Sequence, residues 1–197
     1  MARDIRNERT EREIIDSFLK ELETVSFVNI TVSSVAQRAG ISRSTFYAHF
    51  PNMREVFNRA LEEFVSNIRE LDVQLKCAAC GNDSPDIEAK LPFCIALRSA
   101  GRYGALVRSP EFLPAYLDLV DAYSGNIVVK GFIDSGVPPE IARSVMRFQL
   151  SGCYSVALGT PPDANWHKSQ CALDTYIRGG IAALRKSSGN TRHHVRK

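Results

Sequence analysis

Between residues 42 and 49 the chain gathers the residue types most suited to chemistry. Ser42, Ser44 and Thr45 bring hydroxyls, Tyr47 a phenol, His49 an imidazole and Arg43 a guanidinium. The set is not laid out as nucleophile, base and orienting acid. Each member can donate a hydrogen bond to a phosphate oxygen, and arginine can also span a guanine edge with two bonds. The pattern therefore points to nucleic-acid contact. No G-x-S-x-G, phosphate-binding loop, H-E-x-x-H or recognisable carboxylate pair occurs, so an enzyme is not expected, nor is a cofactor or metal.

The other reactive candidates are five cysteines, an odd number that does not suggest a disulfide framework. Cys77 and Cys80 form one C-x-x-C, without the second ligand pair of a structural zinc site or the βαβ setting of a redox motif. The pair reads as a coincidence at a helix end, with redox or metal sensing as the other readings. Cys94, Cys153 and Cys171 fall in apolar helical patterns and read as small core residues.

Charge has to be read locally. The 197 residues carry 25 Lys and Arg against 22 Asp and Glu, a net of +3. Residues 185–197 hold five of the basic groups and no acid, which leaves the rest of the chain at −2. By that measure the body is no nucleic-acid binder. Yet from Thr24 to Arg54 there are three arginines and no acid at all. The charged, apolar-poor N-terminus does not resemble a secretory signal and no apolar run suits a membrane helix, so a cytoplasmic location is expected.

The elements that must position these side chains read as helices. Residues 8–25 place Ile14, Ile15, Phe18, Leu19 and Leu22 on one face. Thr31 suits the cap of a short helix from Val32 to Arg38, and Ala39-Gly40-Ile41 suits a tight turn. Ser42 can then cap a second short helix, Arg43 to His49, that buries Phe46 and Phe50. A longer helix follows from Pro51-Asn52 to about Leu75. After a break at CGNDSPD, helical patterns return over 86–101, 103–108, 110–134, 139–158 and 163–186. No strand alternation or repeat interrupts them. The expected fold is all-α.

Two short helices set at a steep angle by a tight turn make a helix-turn-helix, whose second helix can enter the major groove by its N-terminal end. At this point ITVSSVAQRAGISRSTFYAHFPNMREVF, residues 30–57, resembles the tetracycline-repressor (TetR) family of bacterial regulators. The likeness lies in the capped helix, the A-x-x-A-G-[IV]-S turn and the T-x-Y-x-H-F run, and covers the first quarter of the chain. It implies a homodimer that reads a double-stranded DNA operator and a C-terminal domain that binds a small-molecule effector. On this basis 1–52 is the helix-turn-helix domain, 53–186 the effector-binding and dimerisation domain, and 187–197 a basic, disordered tail. By position, Thr31, Ser42, Thr45, Tyr47 and His49 would contact the DNA backbone, and Arg43 and Ser44 would face bases. Met53 departs from the family pattern, which often has lysine there to meet a phosphate; Arg54 is the neighbouring cation.

The resemblance also implies that the last two long helices form the dimer interface. Ile141, Val145, Phe148, Gly152 and Val156 make a stripe on the first, and Leu173, Ile177 and Ile181 one on the second. An intrachain core stripe would look the same. Phe93, Leu97, Tyr103, Phe112, Tyr116, Tyr123, Phe148 and Tyr154 are the candidate effector walls, and their few charges favour an uncharged or aromatic-hydrophobic ligand. The leading expectation is a ligand-responsive transcriptional repressor. The alternative is a TetR-fold coactivator working by protein–protein contact without operator binding; Met53 points that way, and the polar set from Ser42 to His49 points against it.

Overall fold

The all-α expectation holds in the computed structural model, which describes residues 2–71, 93–161 and 166–191. Among the described residues, two compact units can be told apart. The first contains residues up to 71 together with 96–115; the second contains 93–95 and the residues from 116 onward.

In the first unit, α1 (Ala2–Leu22) buries Ile14, Ile15, Phe18, Leu19 and Leu22, the face its periodicity predicts. A single 3-10 turn, Phe27–Asn29, stands where VNIT breaks the pattern. Then come α2 (Val32–Arg38), α3 (Arg43–His49) and α4 (Met53–Leu71). Asn52 accepts the Glu55 amide at 3.0 Å and so starts α4. Helix α4 buries Val56, Phe57, Ala60, Leu61 and Phe64. Phe18, Phe27 and Phe57 meet edge to face with centroids 5.2–6.3 Å apart, the arrangement favoured by the ring quadrupole. The segment 96–115 adds Leu97, Leu106, Val107 and Phe112 to this core, with Phe112 against Phe64 at 5.7 Å. It spans the end of α5 (Phe93–Arg98), α6 (Gly104–Arg108) and the start of α7 (Phe112–Leu119).

The second unit departs from expectation in two elements. A single helix over 110–134 is expected; α7 instead gives way to a π turn, Val120–Ser124, before α8 (Gly125–Asp134). Apolar periodicity does not register a one-residue widening of the ladder. In this turn Asp121 takes hydrogen bonds from Arg143 at 2.8 Å and Arg147 at 2.6 Å. Both arginines lie on α9 (Pro139–Gly159), which starts at the predicted proline. Helix α10 (Trp166–Thr191) runs past the expected end near Lys186. Residues 72–75, Cys77, Cys80, 86–92, 163–165 and 192–197, which bear on the helix ends, the C-x-x-C and the tail, lie outside the described residues.

Candidate nucleic-acid interface

The turn between α2 and α3 is closed by its own backbone. The Ile41 amide reaches the Ala36 carbonyl at 3.0 Å and the Gly40 amide reaches Gln37 at 3.2 Å, while Gly40 takes φ +67°. That is a Schellman ending, and it needs the left-handed residue glycine supplies. Helix α2 begins with a capping box: Thr31 Oγ1 accepts the Ser34 amide at 3.1 Å, and Ser34 Oγ accepts the Thr31 amide at 3.3 Å. The Ser34 hydroxyl also donates to buried Glu21 of α1 at 2.7 Å, which fastens α2 to α1. Helix α3 begins at Ser42, whose Oγ accepts the Thr45 amide at 3.1 Å and lies 2.7 and 2.8 Å from the hydroxyls of Ser44 and Thr45.

On this scaffold Phe46 and Phe50 point into the core, as expected. Ser42, Arg43, Ser44 and Tyr47 are exposed together on α3, with Tyr47 edge-on to Phe46 at 5.7 Å. Thr31 is exposed at the start of α2. Thr45 is half-buried, and so is His49, whose Nδ1 lies 3.6 Å from Glu11 of α1. The three arginines of the acid-free stretch differ in what holds them. Arg38 faces Glu21 at 3.5 Å. The Arg54 guanidinium carbon stands 4.6 Å from the Phe27 ring centre and 5.4 Å from that of Phe57, cation–π contacts that occupy the cation beside Met53. Arg43 is exposed and has no ion-pair partner among the described residues.

Sequence reasoning missed the second polar cluster of this unit. Gly101, at φ +54°, turns the chain so that Arg102 reaches two helices. Its guanidinium pairs with Asp16 of α1, with Glu63 of α4 at 2.8 Å and with the Tyr103 hydroxyl at 2.8 Å. Tyr103 is 6% exposed, and its hydroxyl also meets Glu63 and Asn67, each at 3.2 Å. Partial burial works against the Arg102 charge, but the Tyr103 hydroxyl and the two carboxylates outweigh it and raise its pKa. Burial raises Tyr103 above the ordinary 10.0, opposed by Arg102 and helped by Glu63. A raised folded value favours the neutral phenol. Its stabilising contribution is therefore complete below pH 10.0 and fades as pH climbs through the folded value. The urea midpoint should fall across that alkaline range, and Tyr103→Phe should remove part of the fall. An unchanged profile in the variant would show that Tyr103 is not the group responsible.

The candidate effector walls are shared between the two units. Leu97, Tyr103 and Phe112 are core residues of the first unit. Phe93 and Tyr116, in the second, stack at 4.6 Å and 11°. Tyr154 is half-buried there, with its pKa raised by that burial, as is the Cys153 thiol's. Tyr123 lies in the π turn. Phe148 is 68% exposed. Of the candidate dimer residues, Phe148 and Gly152 face solvent, while Ile141, Val145, Val156, Leu173, Ile177 and Ile181 are half-buried. Among the described residues no group of three or more His, Cys, Asp or Glu could hold a metal, and no helix is long and apolar enough to cross a membrane.

Comparisons with known proteins fall on the same residues. The family model for the N-terminal domain of bacterial regulatory proteins of the tetR family matches residues 14–60. An uncharacterized HTH-type transcriptional regulator of Haemophilus influenzae is 33% identical over 71 residues, 36% of this chain. The match spans about a third of that relative's length, 35%. Two solved structures align with most of the chain at low similarity. A TetR variant from Acinetobacter baumannii AYE in complex with minocycline has a TM-score of 0.47 and 14% identity over 91% of this chain and 96% of its own. The TetR family repressor AlkX from a Dietzia strain, implicated in biodegradation of n-alkanes, has 0.38 and 19% over 90% and 94%. The family match carries the weight, because its span contains α2, α3, their turn and the buried faces of α1 and α4 that support them. Over residues 14–60 the chain is similar to the N-terminal domain of the tetR family of bacterial regulatory proteins.

Proposed function

We propose that the chain is a ligand-responsive, sequence-specific regulator of transcription that reads double-stranded DNA as a homodimer, and that it is a repressor released by a small-molecule effector. The observation that carries this reading is the exposed face of α3, where Arg43 stands without an ion-pair partner among the described residues, beside Ser42, Ser44 and Tyr47. In this reading Arg43 and Ser44 face bases, and Thr31, Ser42, Thr45, Tyr47 and His49 hold the backbone. Residues 1–52 form the reading domain and 53–186 the effector and dimer domain, with a basic tail from 187.

Dimerisation is what the resemblance to the tetR family implies, and the exposed aromatics Phe148 on α9 and Tyr176 on α10, each 68% exposed, are side chains such a contact would cover. Gly152, Ser155 and Gly159 continue the solvent-facing side of α9, and Gly179 and Gly180 are exposed on α10. The half-buried neighbours Ile141, Val145, Val156, Leu173, Ile177 and Ile181 would border that contact. For the effector, the stacked pair Phe93 and Tyr116, with Tyr123 and Tyr154, favours an uncharged or aromatic-hydrophobic compound.

The test is to select duplex DNA from a random pool with the full-length protein and to measure its affinity at several salt concentrations. Affinity should fall steeply with salt, since phosphate contacts release counterions. Arg43→Ala should cost about 1–3 kcal/mol, and should relax sequence preference at one position. A chain that retains no duplex, or an Arg43→Ala variant that binds like the parent, would overturn the DNA reading.

A further inference from the structure

We propose that α1 acts as a strut, through which the single side chain Arg102 sets the stance of both α2 and α3. Three acids spaced five residues apart on α1 reach three different neighbours. Glu21 takes the Ser34 hydroxyl of α2 at 2.7 Å and faces Arg38 at 3.5 Å. Glu11 lies 3.6 Å from His49 Nδ1 of α3. Asp16, between them, is paired with Arg102, which also holds Glu63 of α4. The helix carrying these acids is anchored by Ile14, Ile15 and Phe18, at most 1% exposed, so it shifts as a body and does not bend locally. A displacement applied at Asp16 is therefore delivered to both helices of the reading pair.

Arg102 lies in the segment 96–115, which packs in the first unit. Arg102 is the point at which the segment grips α1 and α4 together, held in place by the buried ring of Tyr103 against Phe64 at 5.6 Å. Arg102 is a positioning residue: it has no part in the exposed face of α3, yet it acts on the helices that present that face.

Arg102→Met and Asp16→Asn, singly and combined in the full chain, test the strut. The first readout is amide hydrogen exchange over residues 32–49 without DNA. Each single variant should speed exchange across α2 and α3 by about fivefold or more, and the double variant should add little to Arg102→Met, which already cuts the link to Asp16. Arg102→Lys, a point charge that cannot fork to two carboxylates, should fall between. Arg108→Met is the control: Arg108 is exposed on the same segment and bonds the Gly104 carbonyl, and its loss should leave residues 32–49 unchanged. Should Arg102→Met fail to fold, Asp16→Asn at a half-exposed site carries the test alone. The second readout, affinity for the selected duplex, rests on the proposed DNA reading and should weaken in parallel. If the parent protein retains no duplex, that reading fails while the exchange result still decides the strut. Exchange within twofold of the parent over 32–49, or effects of the two variants that simply add, would overturn it.

Discussion

Phe18→Ala should make the first unit unfold at much lower urea while leaving the second unmoved. Phe18 is completely buried and sits between Phe27 and Phe57, so its removal opens a cavity at the point where α1, α4 and the turn before α2 meet. Truncating a buried phenylalanine costs about 3–5 kcal/mol, and the edge-to-face pairing with two other rings places Phe18 toward the top of that range. Small domains hold about 5–15 kcal/mol in all, so this single change removes a large part of the unit's margin. The substitution also frees Phe27, one of the two rings beneath Arg54. The measurement separates the units: the one tryptophan, Trp166, lies in α10 of the second, so its fluorescence follows that unit while far-ultraviolet circular dichroism follows both. The dichroism should show a new early transition in urea with the fluorescence midpoint unmoved. A destabilisation under about 1 kcal/mol would contradict the packing described. Coincident transitions would show that the two units unfold as one.

Gly136→Ala should be the most damaging small substitution in the second unit. Gly136 takes φ +95° and closes α8 in the same manner as Gly40 closes α2: its amide meets Ile133 at 2.8 Å, and the Val137 amide meets Phe132 at 3.0 Å. Alanine is strained at that φ, at a cost of about 1–3 kcal/mol. A second penalty follows, because a methyl there would stand 2.7 Å from Arg185 Nε and 2.9 Å from its Cγ. Arg185 would have to leave the Ser135 carbonyl, to which it donates from Nε at 3.0 Å and from Nη2 at 2.6 Å. Together the expected destabilisation is about 2–4 kcal/mol, read as a lower urea midpoint by Trp166 fluorescence. Gly40→Ala is the matched comparison: φ is +67° but nothing lies within 4 Å of the added methyl, so only the strain remains. Equal effects at the two glycines would show that the Arg185 contact contributes nothing.

What was legible in the sequence is what local chemistry encodes. The caps at Thr31 and Ser42, the turn glycine and the apolar face of α1 each depend on residues within a few positions of one another, and the structure has them as expected. The cluster around Arg102 depends on partners 39 and 86 residues away, Glu63 and Asp16, and no periodicity marks such pairs. The same holds for Tyr103 and Phe112, whose rings meet Phe64 of α4 at 5.6 and 5.7 Å, contacts that no spacing marks. At Met53 the sequence offers Arg54 as the nearest cation, and it took the ring of Phe27, half a domain away in sequence terms but adjacent in space, to show where that cation rests.

The hydroxyls at the start of α3 have a thermodynamic consequence. Ser42, Ser44 and Thr45 already bond to one another at 2.7–2.8 Å in the free chain. An acceptor on the duplex that docks on them, base or phosphate, exchanges one hydrogen bond for another, so the heat released there is small. The corresponding advantage is entropic, since the side chains are ordered before the partner arrives. Calorimetry on a bound duplex should accordingly find the enthalpy of association little changed by Ser44→Ala, with the affinity lost through the entropy.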